Sequence, residues 1–135
     1  MTMIFVDTSA FVALLDADDQ QHAPAEQIWQ TLLEDDNELV CNNYVLVEAY
    51  ALIQRRYGMT ILRAFQEDAV PLLSITWLGP DEHGSAISAV LTANRRELSL
   101  VDCASMETMR RLGIRRIFAF DPHYTELGFE SPASE

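Results

Sequence analysis

The chain has 135 residues, 49% hydrophobic and 22% charged, the balance of one soluble domain with enough apolar material for a core. Nine basic residues, all arginine, stand against 21 acidic ones, for a net charge of −12 at pH 7. That balance argues against broad, non-specific nucleic-acid binding, which depends on neutralising phosphates; a local basic strip, a basic protein partner or bound cations fit it, as would a high-salt habitat or genome composition.

No apolar run approaches the ~20 residues of a membrane span, and the opening MTMIFVDTSAF has no basic segment of the kind that begins a signal peptide. Cys41 and Cys103 make no disulfide framework, so a reducing, cytoplasmic setting is expected. The run MIFVD predicts a buried strand ending at Asp7, followed by a short helix over Ala10–Leu15. Pro24 sits where a second helix would start, and Ala25, Ile28, Trp29, Leu32 and Leu33 then recur at helical spacing. ELVC at 38–41 predicts a second strand, with Asn42 and Asn43 available as caps. From Tyr44 to Ile53 the pattern is apolar nearly all round, which predicts a buried helix running on to Arg55, Arg56 and a C-cap at Gly58.

A helix over Met59–Asp68 and a third strand over Leu72–Trp77 follow. Pro80, Asp81 and Glu82 open the next helix, which ends near Arg95 and Arg96. Another begins at Ser99 and runs to Leu112, with Arg110 and Arg111 in its last turn and Gly113 after it. Arg116–Phe120 predicts a fourth strand, closed by Asp121 and Pro122. Alternating strands and helices specify a single α/β domain over residues 1–129 with a mainly parallel central sheet flanked by helices; residues 130–135 read as a disordered acidic tail.

Four acids stand out. Asp7 and Asp121 each end a strand, where capping a helix or starting a turn is the simplest structural role. Asp102 lies three residues after Ser99, a capping-box spacing at the positive end of a helix dipole. Glu48 is the one charged residue between Tyr44 and Ile53, with no cation within a helical turn. Burying it unpaired would cost several kcal/mol or raise its pKa, so it points either to a distant arginine or to a cavity that needs negative charge. Three of the four fall where ligands bind in parallel α/β sheets. Carboxylates ~4 Å apart repel by about 4 kcal/mol at an effective dielectric near 20. Protonation or a divalent cation relieves that, and an oxygen set without histidine suits Mg²⁺ or Mn²⁺ rather than zinc.

Other α/β sites lack their residues. With no lysine there is no P-loop or receiver-domain lysine. No G-x-G-x-x-G and no G-x-S-x-G elbow occurs, and His22, His83 and His123 are scattered.

Val6-Asp7-Thr8-Ser9-Ala10-Phe11 resembles the N-terminal motif of PIN-domain nucleases. NNYVLVEAYALIQRR is similar to the stretch carrying their second acid, Ser99-Leu100-Val101-Asp102-Cys103-Ala104 to the third, and IFAFDPHYTELGF to the block with the fourth. Order and spacing resemble the compact VapC-type toxins of toxin–antitoxin pairs. The resemblance implies a three-layer PIN-like fold and Mg²⁺-dependent endonucleolytic cleavage of RNA, with Mn²⁺ as a substitute. It also implies a homodimer held inactive by an antitoxin. Asp7, Glu48, Asp102 and Asp121 would be the catalytic and metal-binding acids, and Thr8 and Ser99 supporting hydroxyls. In-line attack of water would leave a 5′-phosphate, so RNA preference must come from shape or contacts. Arg56, Arg95, Arg96 and Arg110 are candidate phosphate contacts, although arginines at helix C-termini are favoured by the dipole alone. A catalytically silent PIN-like domain that binds RNA or protein, and a processing nuclease outside any toxin system, are the competing readings.

Overall fold

The computed structural model describes residues 2–132. Strand β1 (Thr2–Val6) leads into α1 (Thr8–Leu15) and α2 (His22–Glu34), then β2 (Asn37–Asn42), α3 (Asn43–Tyr57) and α4 (Met59–Ala64). β3 (Leu73–Thr76), α5 (Pro80–Ala93), α6 (Leu100–Leu112), β4 (Arg116–Phe118) and α7 (Pro122–Glu126) complete it. The strands form one sheet in the order β3-β2-β1-β4, every pair parallel. β1 is paired on both sides: Ile4 lies opposite Leu39 of β2 and Arg116 of β4. Such a strand is covered on both faces, and Ile4, Phe5 and Val6 are fully buried.

Local chemistry sets most boundaries. Asn42 caps α3, its Oδ1 accepting from Val45 N at 2.9 Å; such a cap is worth about 1 kcal/mol. Gly113 ends α6 in the left-handed conformation at φ +72°, which glycine adopts without the clash a Cβ would bring. Pro24 falls two residues inside α2 rather than at its start; it is still in the first turn, where its missing N–H has no intrahelical partner to lose.

Several expected elements differ. The helix expected over 59–68 is α-helical only to Ala64, then widens into a π turn at Phe65–Ala69 and tightens into a 3₁₀ turn at Val70–Leu72. Pro71 cannot continue an α-helix, and the wider turn accompanies burial of Phe65, which meets Phe11 and Tyr50 edge-on at 5.0 and 5.6 Å. α3 is not buried all round. It packs on α1, α6 and β2, but Val47 is 66% exposed and Glu48 lies on the open side. β4 is three residues long and stops before Ala119.

Glu130, the first residue of the expected tail, pairs with the backbone around β4. Its N–H donates to Arg115 O and its carbonyl accepts from Ile117 N, both at 2.9 Å. The tail expectation for 133–135 falls outside the described residues.

Candidate metal centre

β1 and β4 are neighbours, and the chain leaves both at the same edge of the sheet. Asp7 directly follows β1, and Asp121 follows β4 after two residues. The N-terminus of α6 brings in Asp102, and the middle of α3 brings in Glu48. All four acids, with Thr8, Ser9, Ser99, Arg56 and His123, line one cleft of about 680 Å³. A buried clamp holds the two helices in register: Asn42 Nδ2 donates to Thr108 Oγ1 at 3.1 Å, and Thr108 donates to Ala104 O at 2.8 Å.

Asp7 is 5% exposed. It caps α1, Oδ2 accepting from Ser9 N at 3.1 Å and from Ser9 Oγ at 2.7 Å. Ser9 Oγ in turn accepts from Phe120 N at 3.0 Å, tying the segment before Asp121 to Asp7. Burial raises the Asp7 pKa above its ordinary value; the Ser9 bonds oppose the rise, nearby Asp102 adds to it and the Tyr124 hydroxyl opposes it.

Asp102 and Ser99 form the reciprocal capping box read from their spacing. Ser99 N donates to Asp102 Oδ2 and Asp102 N to Ser99 Oγ, each at 3.0 Å. The Tyr124 hydroxyl lies between Asp7 Oδ1 at 3.1 Å and Asp102 Oδ1 at 3.2 Å. Tyr124 is 1% exposed. One phenolic proton serves one carboxylate at a time, so two ionised acids around this oxygen call for a second proton or a cation nearby. The phenol's own pKa is pushed far up, by burial first and by Asp7 and Asp102 next.

Asp121 caps α7, Oδ1 accepting from His123 N at 3.1 Å. The His123 imidazole folds back into the cleft, Nε2 standing 3.2 Å from Asp121 Oδ1 and 4.0 Å from Asp102 Oδ2. Glu48 stays at the open rim. Its pKa is raised, by desolvation first; the Thr8 hydroxyl opposes this, and Asp7 and Asp102 add to it. Thr8 Oγ1 is buried and makes no hydrogen bond of normal length; the Glu48 carboxylate is the acid near enough to feel its hydroxyl.

Among the described residues, Asp102, Asp121 and His123 form the group whose donor atoms all lie within 4.8 Å of one another. Asp7 reaches this group through Tyr124, and Glu48 stands apart as an exposed charge. Beside the oxygen donors expected from sequence, α7 turns the His123 imidazole back onto Asp121 and Asp102. Of the candidate arginines, Arg56 lines the cleft. Arg95 is engaged by Glu97 at 3.1 Å and Glu126 at 3.9 Å, and Arg110 lies 5.6 Å over the Phe129 ring. Arg96 is exposed and does not line the cleft. Ser9, Tyr124 and His123 were missed: a serine two places after a strand-ending Asp signals a local turn, whereas nothing in the sequence puts Tyr124 under two acids.

The PIN domain family profile matches residues 4–130. The chain belongs to the PIN-domain family. Its PIN domain is 31% identical over 128 residues to the 23S rRNA-specific endonuclease VapC20 of Mycobacterium tuberculosis, covering 94% of this chain and 95% of that one. The crystal structure of that VapC20, described as a Sarcin-Ricin loop cleaving toxin, superposes with a TM-score of 0.82 at 29% identity, covering 94% and 96% of the two chains. FitAcB from Neisseria gonorrhoeae shares the fold at a TM-score of 0.66 and 13% identity, covering 93% of each chain. No helix among the described residues is long and apolar enough to cross a membrane.

Proposed function

We propose that this PIN domain is a divalent-metal-dependent endoribonuclease acting as the toxin of a toxin–antitoxin pair, with structured ribosomal RNA as the first substrate to test. The observation that carries the reading is the meeting of Asp7, Glu48, Asp102 and Asp121 in one cleft at the carboxyl edge of the sheet. Similarity to VapC20 over nearly the full length of both chains supports the substrate class.

The residues fit a divalent cation. Thr8 Oγ1 is a buried oxygen without a partner, and the Tyr124 bridge gathers two acids that need neutralising. Asp102 and Asp121 would hold Mg²⁺, or Mn²⁺ in its place, with Asp7 offering Oδ1 from the far side of Tyr124. A bound cation supplies polarisation of the scissile phosphate and a lower pKa for the attacking water. Ser9, Ser99 and Tyr124 fix the acids so that little reorganisation is left for the reaction. Glu48 at the rim, its pKa raised by desolvation, would take a proton from the attacking water. Arg56, on the lining of the cleft, would meet a phosphate.

A separate groove of about 260 Å³ is lined by Phe11, Leu15, Trp29 and Phe65, with Glu26 and Asp68 beside them. That chemistry, on a chain of net charge −12, supports a basic, amphipathic antitoxin segment as partner. Trp77 and Leu91, 71% and 72% exposed, are apolar surface of the kind a homodimer would cover.

The test is cleavage of 23S rRNA, tRNA and mRNA by purified protein with Mg²⁺, with Mn²⁺ and with EDTA. Metal-dependent products ending in 5′-phosphate are expected, and Asp7→Asn should give none. Equal cleavage by that variant after rigorous purification would remove the assignment.

A further inference from the structure

The histidine in the cleft has no part in the reading above. His123 sits on α7, two residues after Asp121, with its side chain 15% exposed and its Nε2 turned toward two acids rather than solvent. Two donors bound at ~2.1 Å to one ion stand no more than about 4.2 Å apart. The separations from His123 Nε2, 3.2 Å to Asp121 Oδ1 and 4.0 Å to Asp102 Oδ2, both fall inside that limit. The same cleft contains the unpartnered Thr8 Oγ1 of a residue only 5% exposed, a polar group that calls for a ligand or a water.

Resting on the divalent-cation reading, we propose that His123 is a nitrogen ligand of the cation held by Asp102 and Asp121, and that it sets the site's preference for Mn²⁺ and later first-row ions over Mg²⁺. Mg²⁺ takes oxygen ligands and gives up its waters reluctantly, whereas imidazole binds the transition ions, with affinity rising from Mn²⁺ toward Cu²⁺. Asp121 fixes the turn that presents the imidazole: its Oδ1 accepts the backbone N–H of His123 at 3.1 Å. A surface ion pair between His123 and Asp121 is the competing role. It would give the same distances, but no bond from nitrogen to the ion.

Pulsed electron paramagnetic resonance on the full chain loaded with Mn²⁺ separates the two. The wild-type spectrum should carry ¹⁴N modulation from a directly bound imidazole, replaced by the ¹⁵N pattern when the protein is made with ¹⁵N-histidine. His123→Ala and His123→Gln should lose it. Calorimetric titration should show Mn²⁺ affinity falling about tenfold or more in both variants, with Mg²⁺ affinity changed less than about twofold. Mn²⁺ bound without nitrogen coupling, coupling that persists in both variants, or equal losses for the two ions would each overturn the proposal while leaving the carboxylate site standing. Failure of the wild type to bind Mn²⁺ at all would overturn both. Because the wild-type spectrum decides the ligand, the outcome does not depend on either variant folding.

Discussion

Replacing Asp7 by asparagine removes a charge from the most buried point of the cleft while keeping its shape. The Asp7 and Asp102 oxygens lie 3.1 and 3.2 Å from the same Tyr124 hydroxyl, so they stand at most ~6 Å apart. Two full charges at that separation repel by about 3 kcal/mol at an effective dielectric near 20. The asparagine oxygen can keep both bonds from Ser9. Its amide nitrogen would face Tyr124, whose proton then turns wholly to Asp102, so no buried group is orphaned. The metal-free variant should gain roughly 1–3 kcal/mol over wild type, raising its melting temperature by ~3–10 °C for a domain of this size. pH adds a second handle. The folded-state pKa of Asp7 is raised above 3.8, so its contribution to stability is fully present below that value and is lost as pH rises through the raised value. In EDTA the wild type should therefore melt higher at mildly acid pH than at pH 7.5, and Asp7→Asn should show a weaker trend. Saturating Mn²⁺ reverses the comparison: at 100 times Kd the wild type gains about 2.7 kcal/mol and the variant much less. Differential scanning calorimetry in EDTA and in Mn²⁺ reads all of this. A variant that melts below wild type in EDTA, or gains as much from Mn²⁺, would refute the reasoning.

Glu48→Gln should raise the metal-free melting temperature more modestly, because Glu48 is exposed, and should lower cleavage more than Mn²⁺ affinity; unchanged turnover at saturating metal would take away its role as base. Tyr124→Phe removes a hydroxyl that serves two acids and should destabilise the metal-free protein by about 1–3 kcal/mol, with the deficit shrinking in Mn²⁺; paired melts with and without the ion would show whether it does. Arg56→Ala should weaken RNA binding and reduce the salt slope by about one without altering metal affinity, and a salt titration of binding checks both.

The sheet was legible because each strand is a short apolar run closed by Asp, Asn or a turn, and the parallel pairing followed from the alternation of strands and helices. Glu48 was singled out as an isolated acid in a buried helix, and its environment is different. An apolar helix pattern shows what a residue's neighbours along the helix are, but not which side is left uncovered, and α3 leaves open the side carrying Val47 and Glu48. The capping box at Ser99 and Asp102 was readable because it is local. The Tyr124 bridge was not, since it joins residues 117 positions apart. His123 looked scattered because its spacing from Asp121 does not show that its ring comes within 4.0 Å of Asp102 as well.

The pairing of β4 with β1 also has a consequence for synthesis. The chain's first strand waits for its fourth, since Asp7 has no Tyr124, no Phe120 tether to Ser9 and no Asp121 until the final strand has docked. Any fragment that stops before residue 124 carries the first three acids of the cleft without the fourth or without the hydroxyl that aligns them. If the cleft cuts RNA, a ribosome making this chain is not exposed to a working blade partway through, and premature termination yields inert pieces.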